Sequence, residues 1–201
     1  MKNNKWSVES FSSKPIHVVL FVSRKKDNKE KFGEDFKERR KSFITNKTPE
    51  ELESAFFSFV AEGREGELSR FYYSVNARDP IKIHRQLLHF LIDNPDFNLC
   101  SIDPKLAGIA AQKDCALEKK WMFDFDINDI TKVEEFEDDL ENELIKYYCS
   151  SKTITRYRTP HGFAFVIDGH FDTRELMSKW GKDVTLKRDD LLCVEWRECE
   201  V

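Results

Sequence analysis

The sequence predicts an α/β (α+β) domain whose mixed or antiparallel sheet is flanked by helices. Three observations predict it. β-Branched and aromatic runs alternate with amphipathic segments. A Thr159-Pro160-His161-Gly162 turn joins two strand-like runs into a hairpin. Apolar residues make up 40% of 201 residues, with 17 phenylalanines, enough for a sizeable core.

Taken in order, Ile16 to Val22 reads as a first strand. Arg24 to Lys41 is a dense mixed-charge stretch, either a solvated helix or a mobile loop. Thr48-Pro49-Glu50-Glu51 is a helix start, with Thr48 as N-cap, Pro49 at N1 and Glu51 at N3. Leu52, Ala55, Phe56, Phe59 and Val60 form that helix's apolar stripe. Ser69 to Asn76 is a strand. Asp79-Pro80 opens an amphipathic helix through Leu87, Leu88 and Leu91 that ends near Asn94-Pro95. Asp103-Pro104 opens another, running to about Lys119.

Trp121 to Asp126 is a strand, and Thr131 to Tyr148 an acidic helix with Val133, Phe136, Leu140, Leu144 and Tyr147 at helical spacing. The hairpin strands are Thr153 to Arg158 and Phe163 to Ile167. A short helix near Thr173 to Lys179 and strands at Val184 to Lys187 and Leu191 to Trp196 complete the chain. One domain is expected, with residues 1–66 as an N-terminal α/β portion and 67–201 as the core of the activity.

Net charge is −4, so any polyanion site must be a local patch. The five cysteines are odd in number and show no Cys-x-x-Cys spacing, which argues against a disulfide framework and a zinc ribbon. No apolar run is long enough to span a membrane, and the N-terminus lacks an apolar signal-peptide core. A cytoplasmic protein without a membrane partner is expected.

Two constellations carry chemistry. In Trp121-Met122-Phe123-Asp124-Phe125-Asp126, strand alternation puts the aromatics on one face and Met122, Asp124 and Asp126 on the other. The two acids then stand roughly 7 Å apart at Cα, at about 3.3 Å rise per residue. Such a pair repels unless a cation intervenes, and its oxygens suit Mg²⁺ or Mn²⁺, which can bridge phosphates and activate a hydroxyl. The plain alternative is a solvated strand end. In the hairpin, Arg156 and Arg158 share a face, with His161 and Gly162 in the turn. The arginines and histidine are candidates for phosphate oxygens, and Gly162 for close backbone approach. Lys152 and Lys187 extend the patch. Here the plain alternative is a surface hairpin with ordinary exposed arginines.

These two segments resemble the small archaeo-eukaryotic primase-like (primase-polymerase) proteins found in bacteria and their phages, over about residues 68 to 197. Arg70-Phe71-Tyr72-Tyr73-Ser74-Val75-Asn76-Ala77-Arg78-Asp79 resembles them too. The resemblance implies a primase-like core in which Asp124 and Asp126 are the Asp-x-Asp metal ligands. It also implies that Thr159 and Gly162 belong to a nucleotide-binding hairpin and that Asp189 or Asp190 is a third catalytic acid. Ala164 stands where the family places its phosphate-binding histidine, and His161 lies three residues earlier.

The implied function is metal-dependent nucleotidyl transfer by Asp124, Asp126 and Asp190, with a nucleoside triphosphate, nucleic acid or both as partners, in a bacterial cell or phage-infected host. A second reading is a non-catalytic nucleotide- or nucleic-acid-binding accessory protein. A third is a haloacid-dehalogenase-like phosphatase with Asp124 as nucleophile and Asp126 as acid/base, although such strands lie early in the chain and Asn128 departs from the usual Thr or Val. Strand topology around Asp124 separates the first and third: a hairpin-paired antiparallel sheet against the centre of a parallel one.

Overall fold

A computed structural model describes residues 15–149 and 153–200, and the expectation for Lys152 lies outside them. Among the described residues eight strands form two four-stranded antiparallel sheets. The first has the order β2 (Arg39–Thr45), β1 (His17–Ser23), β3 (Leu68–Ser74) and β8 (Leu191–Glu198). Strands from either side of residue 66 therefore share one sheet. The second has the order β5 (Ile154–Thr159), β6 (Gly162–Asp168), β4 (Lys120–Phe125) and β7 (Val184–Lys187).

The second sheet is two-faced, as its alternation demands. Phe123, Phe125, Phe165, Ile167 and Val184 point to one side. There they meet Val133, Phe136, Leu140 and Leu144 of α5 (Ile130–Tyr148) and Leu176 and Trp180 of α6 (Arg174–Trp180). α5 starts where the Asp129 carboxylate accepts from the Thr131 and Lys132 backbone N–H groups, and ends where Cys149 turns left-handed at φ 55°. Tyr147, expected in the apolar stripe, is exposed. The stripe continues through Tyr148, one position on, which packs against the cluster. On the other face Met122 and Ala164 pack with Leu192 of β8, so the second sheet rests against the edge of the first.

The first sheet buries Val19, Phe21 and Phe71 under Phe56, Phe59 and Val60 of α2 (Glu53–Ala61). The Thr48 capping box forms as read: Thr48 N–H donates to Glu51 Oε2 at 2.8 Å, and Glu51 N–H to Thr48 Oγ1 at 3.4 Å. Val18 and Ile44 pack on α3 (Pro80–Asp93) and α4 (Ile102–Ala110). α4 stops at Ala110, short of the expected Lys119. Buried Cys115 accepts from Asp79 N–H at 2.8 Å and Leu117 N–H donates to Ala77 O at 2.8 Å, so the chain must run extended beside Ala77 to Asp79.

The charged stretch after β1 divides into α1 (Lys25–Phe32) and the edge strand β2. α1 is pinned by Asn28, 2% exposed, which donates to Leu68 O at 2.9 Å and accepts from Leu68 N–H at 2.7 Å. That pin brings Arg24, Lys26 and Asp27 over the seam between the sheets. No helix among the described residues is long and apolar enough to cross a membrane.

Candidate functional site

Asp124 lies directly opposite Ala164 on β6 and Thr185 on β7. The Met122–Asp124 face of β4 looks towards Arg70, Tyr72 and Cys193 of the first sheet across a cleft of about 190 Å³. Asp126, Thr159 and His161 line the second-sheet side, and Arg24 and Lys26 the α1 side. The two expected constellations thus meet in part.

On the acidic side, Lys187 Nζ lies 2.9 Å from Asp124 Oδ2 and 3.4 Å from Asp190 Oδ2. Burial disfavours the Lys187 ammonium, but Asp124 and Asp190 more than compensate and hold its pKa above the usual lysine value. Asp126 is exposed and makes no ion pair or hydrogen bond among the described residues. Asp190 Oδ1 accepts from Leu191 N–H at 2.8 Å.

Asp189 is spent elsewhere. Its Oδ2 accepts from Arg78 Nη1 at 2.8 Å and its Oδ1 from Asn76 Nδ2 at 3.1 Å. The side chains of Arg78 and Asp189 are only 1% and 6% exposed. Of the two expected third acids, Asp190 is the one linked to the cleft, through Lys187.

On the basic side His161 was a candidate from the sequence, whereas Arg24 and Arg70 were not. Asp27 accepts a bidentate pair from Arg24, Nε at 2.8 Å and Nη2 at 3.0 Å, and one bond from Arg70 Nη2 at 2.6 Å. Burial pushes the Asp27 carboxyl up, but the two guanidiniums outweigh it and hold it below the usual aspartate value. Arg70 Nη2 also lies 2.9 Å from His161 Nε2. A guanidinium only donates, so Nε2 is the acceptor in this contact and Nδ1 is the ring nitrogen left to donate. Arg70 Nε is buried without an acceptor.

Arg156 and Arg158 do not join this wall. They pair in register with Phe165 and Phe163, on the helix-covered face, away from Asp124. Arg156 Nη1 donates to Glu137 of α5 at 2.8 Å, and the Arg158 guanidinium lies 5.7 Å from the Phe163 ring centre. The signal was in the sequence: Ile154 has the same parity as both arginines and packs against the aromatic core. Gly162 serves a close approach of another kind. A Cβ there would lie 2.1 Å from Phe125 O and 2.9 Å from Ile127 N, so glycine lets the hairpin cross the end of β4.

The carboxylates offer hard oxygen donors. One oxygen of Asp124 and both of Asp126 are unpartnered among the described residues, a set suited to Mg²⁺ or Mn²⁺. Among the described residues no three His, Cys, Asp or Glu side chains are gathered as ligands. The fit is therefore to two carboxylates, with Asp190 drawn in only through Lys187. All five cysteines are free thiols.

β4 is antiparallel to both of its neighbours, so Asp124 does not sit in the parallel sheet that a haloacid-dehalogenase-like phosphatase requires. No protein-family model matches the chain, and neither does any curated protein.

Proposed function

We propose that the cleft binds the phosphates of a nucleoside triphosphate together with Mg²⁺ or Mn²⁺ and supports nucleotidyl transfer of the primase-like kind. The observation that supports this reading is that two under-used carboxylates, Asp124 and Asp126, face Arg24 and Arg70 across the cleft, with His161 on the acids' own side reaching Arg70 at 2.9 Å. A bound divalent ion would supply charge neutralisation and activation of the attacking hydroxyl. Asp124 and Asp126 would hold it. Arg24 and Arg70 would hold phosphate oxygens and stabilise charge as it develops, and His161 would offer its Nδ1–H.

The cleft's roughly 190 Å³ lies below the 300–1,000 Å³ of a whole-ligand pocket, so it suits phosphates while the nucleoside lies outside. An acceptor strand has a path beside it. The turn from Lys187 to Asp190 presents Lys187 to the cleft, with Asp190 behind it at 3.4 Å, and Arg188 and Asp189 to a groove of about 700 Å³. Lys82, Arg85, Lys113, Lys119 and Arg188 line that groove, and none of them is in an ion pair among the described residues. Arg188 lies 5.1 Å from the ring centre of Trp121. Asp114 and Glu118 are the opposing acids beyond Asp189, and Glu118 is held by Lys120 at 2.7 Å. Unpaired cations beside an aromatic face suit a single nucleic-acid strand.

The second reading is a nucleotide-binding protein without chemistry. Lys187, already between Asp124 and Asp190, and Ala164, opposite Asp124, favour it. Incubation with Mn²⁺, mixed nucleoside triphosphates and a primed single strand separates the two. Extended product that disappears in Asp124→Asn supports transfer. Triphosphate binding without product supports the second reading, and neither binding nor product overturns both.

A further inference from the structure

A second cavity, of about 690 Å³, lies beside β8 on the same face of the second sheet. Leu192 is common to it and the cleft, whereas Val75, Val166 and Val194 line only this side. Its volume falls within the roughly 300–1,000 Å³ of small-molecule sites. We propose that it is a separate binding site for a flat, uncharged nitrogen heterocycle, of the kind found in a nucleoside without phosphate.

The apolar floor gives such a ring a dry surface. At the rim, His17 stacks on Tyr73 with ring centres 4.5 Å apart and planes 23° from parallel, which extends an aromatic wall. His17 Nδ1 lies 2.9 Å from the Ser74 carbonyl oxygen. A carbonyl only accepts, so Nδ1 carries the proton and Nε2 is left with a bare lone pair. Burial is the largest influence on this ring and lowers its affinity for a second proton, ahead of the opposing Ser74 bond. Nε2 has no partner among the described residues, so it can accept an N–H from a ligand. The Thr155 and Tyr157 hydroxyls, on the sheet opposite, are also unpartnered among the described residues and can donate or accept.

Charge decides between a nucleoside and a nucleotide. Glu50 and Asp168 line the cavity, and its only lysine or arginine among the described residues, Lys120, is held by Glu118 at 2.7 Å. A phosphate there would meet two carboxylates and no free cation among the described residues. The cation-rich cleft has the opposite character, so the two sites sort ligands by charge.

Saturation-transfer NMR and calorimetry without divalent cation test this, with adenosine, cytidine and their 5′-monophosphates as probes. At least one nucleoside should bind, its monophosphate at least about fivefold more weakly. Thr155→Trp, at an exposed strand position, should abolish binding by filling the cavity. His17→Phe keeps the stack on Tyr73 but removes the acceptor, and should weaken binding at least about fivefold. The proposal is overturned if neither nucleoside binds at millimolar concentration, if a monophosphate binds as tightly, or if Thr155→Trp leaves binding unchanged. Failure here leaves the reading of the cleft untouched, because that reading is tested with divalent ion and triphosphate.

Discussion

Asp189→Asn should destabilise the protein far more than Asp190→Asn, although the two acids are adjacent and both were candidates for the same role. Asp189 is the carboxylate partner of Arg78, whose side chain is 1% exposed and whose Nε has no acceptor. Neutralising Asp189 leaves a buried guanidinium uncompensated, a change that costs about 3–5 kcal/mol. Asparagine retains a carbonyl that can still accept one bond, so the lower end, about 3 kcal/mol, is expected. Asp190 is 45% exposed and shares its lysine with Asp124, so its loss should cost less than about 1 kcal/mol. Urea unfolding provides the assay. At an m-value of about 2–3 kcal/mol per molar, the Asp189→Asn midpoint should fall by about 1–1.5 M. Arg78→Met should lose a similar amount, and the double variant less than the sum of the two. Equal midpoints for Asp189→Asn and Asp190→Asn would refute the assignment of Asp189 to the core.

The effect of Asp27→Asn should depend on pH in a defined direction. The Asp27 carboxyl lies below its ordinary value of 3.8, so its stabilisation is complete above about that pH and is lost as pH falls through the lowered folded-state value. Wild type should be more stable at neutral pH, and the two melting curves should converge in acid; a constant gap would contradict the pairing with Arg24 and Arg70. Lys187→Met frees Asp124 Oδ2 and Asp190 Oδ2 and removes a repelling charge, so Mn²⁺ affinity should rise about tenfold or more. Unchanged affinity by calorimetry would mean that the ion binds elsewhere. Phe125→Ala removes a fully buried ring and should cost about 3–5 kcal/mol in denaturant melts. Asp126→Asn, on the exposed face, should cost less than about 0.5 kcal/mol.

Periodicity made most of the fold legible. The apolar stripe of α5, the Asp79-Pro80 helix start, the hairpin and the two-faced β4 are all local patterns, and local patterns are what one chain displays. β2 escaped because it is an edge strand: Arg39, Arg40 and Lys41 open it, and its pairing with β1 supplies the order that its composition hides. Asp124 and Asp126 were visible because their aromatic neighbours fix the buried side. Arg156 and Arg158 misled because alternation gives relative faces, while the absolute face depends on which side α5 covers. Arg24 and Arg70 were missed because 46 residues separate them. Only the docking of α1 on β3 through Asn28 and Asp27 brings them together, and no local spacing encodes that. Arg70 did leave one trace, the single charged residue of β3, next to Phe71, Tyr72 and Tyr73.

The most direct measurement of the central claim is calorimetric titration of a non-hydrolysable nucleoside triphosphate with Mn²⁺ into wild type, Asp124→Asn/Asp126→Asn and Arg24→Gln. Denaturant melts should accompany it to establish that each variant is folded. If the cleft holds the metal and the phosphates, wild type binds one triphosphate and the double variant loses the dependence on Mn²⁺. Arg24→Gln should weaken triphosphate binding about tenfold or more while leaving nucleoside binding alone. Equal affinity in all three folded proteins would contradict the claim and remove the cleft as a nucleotide site.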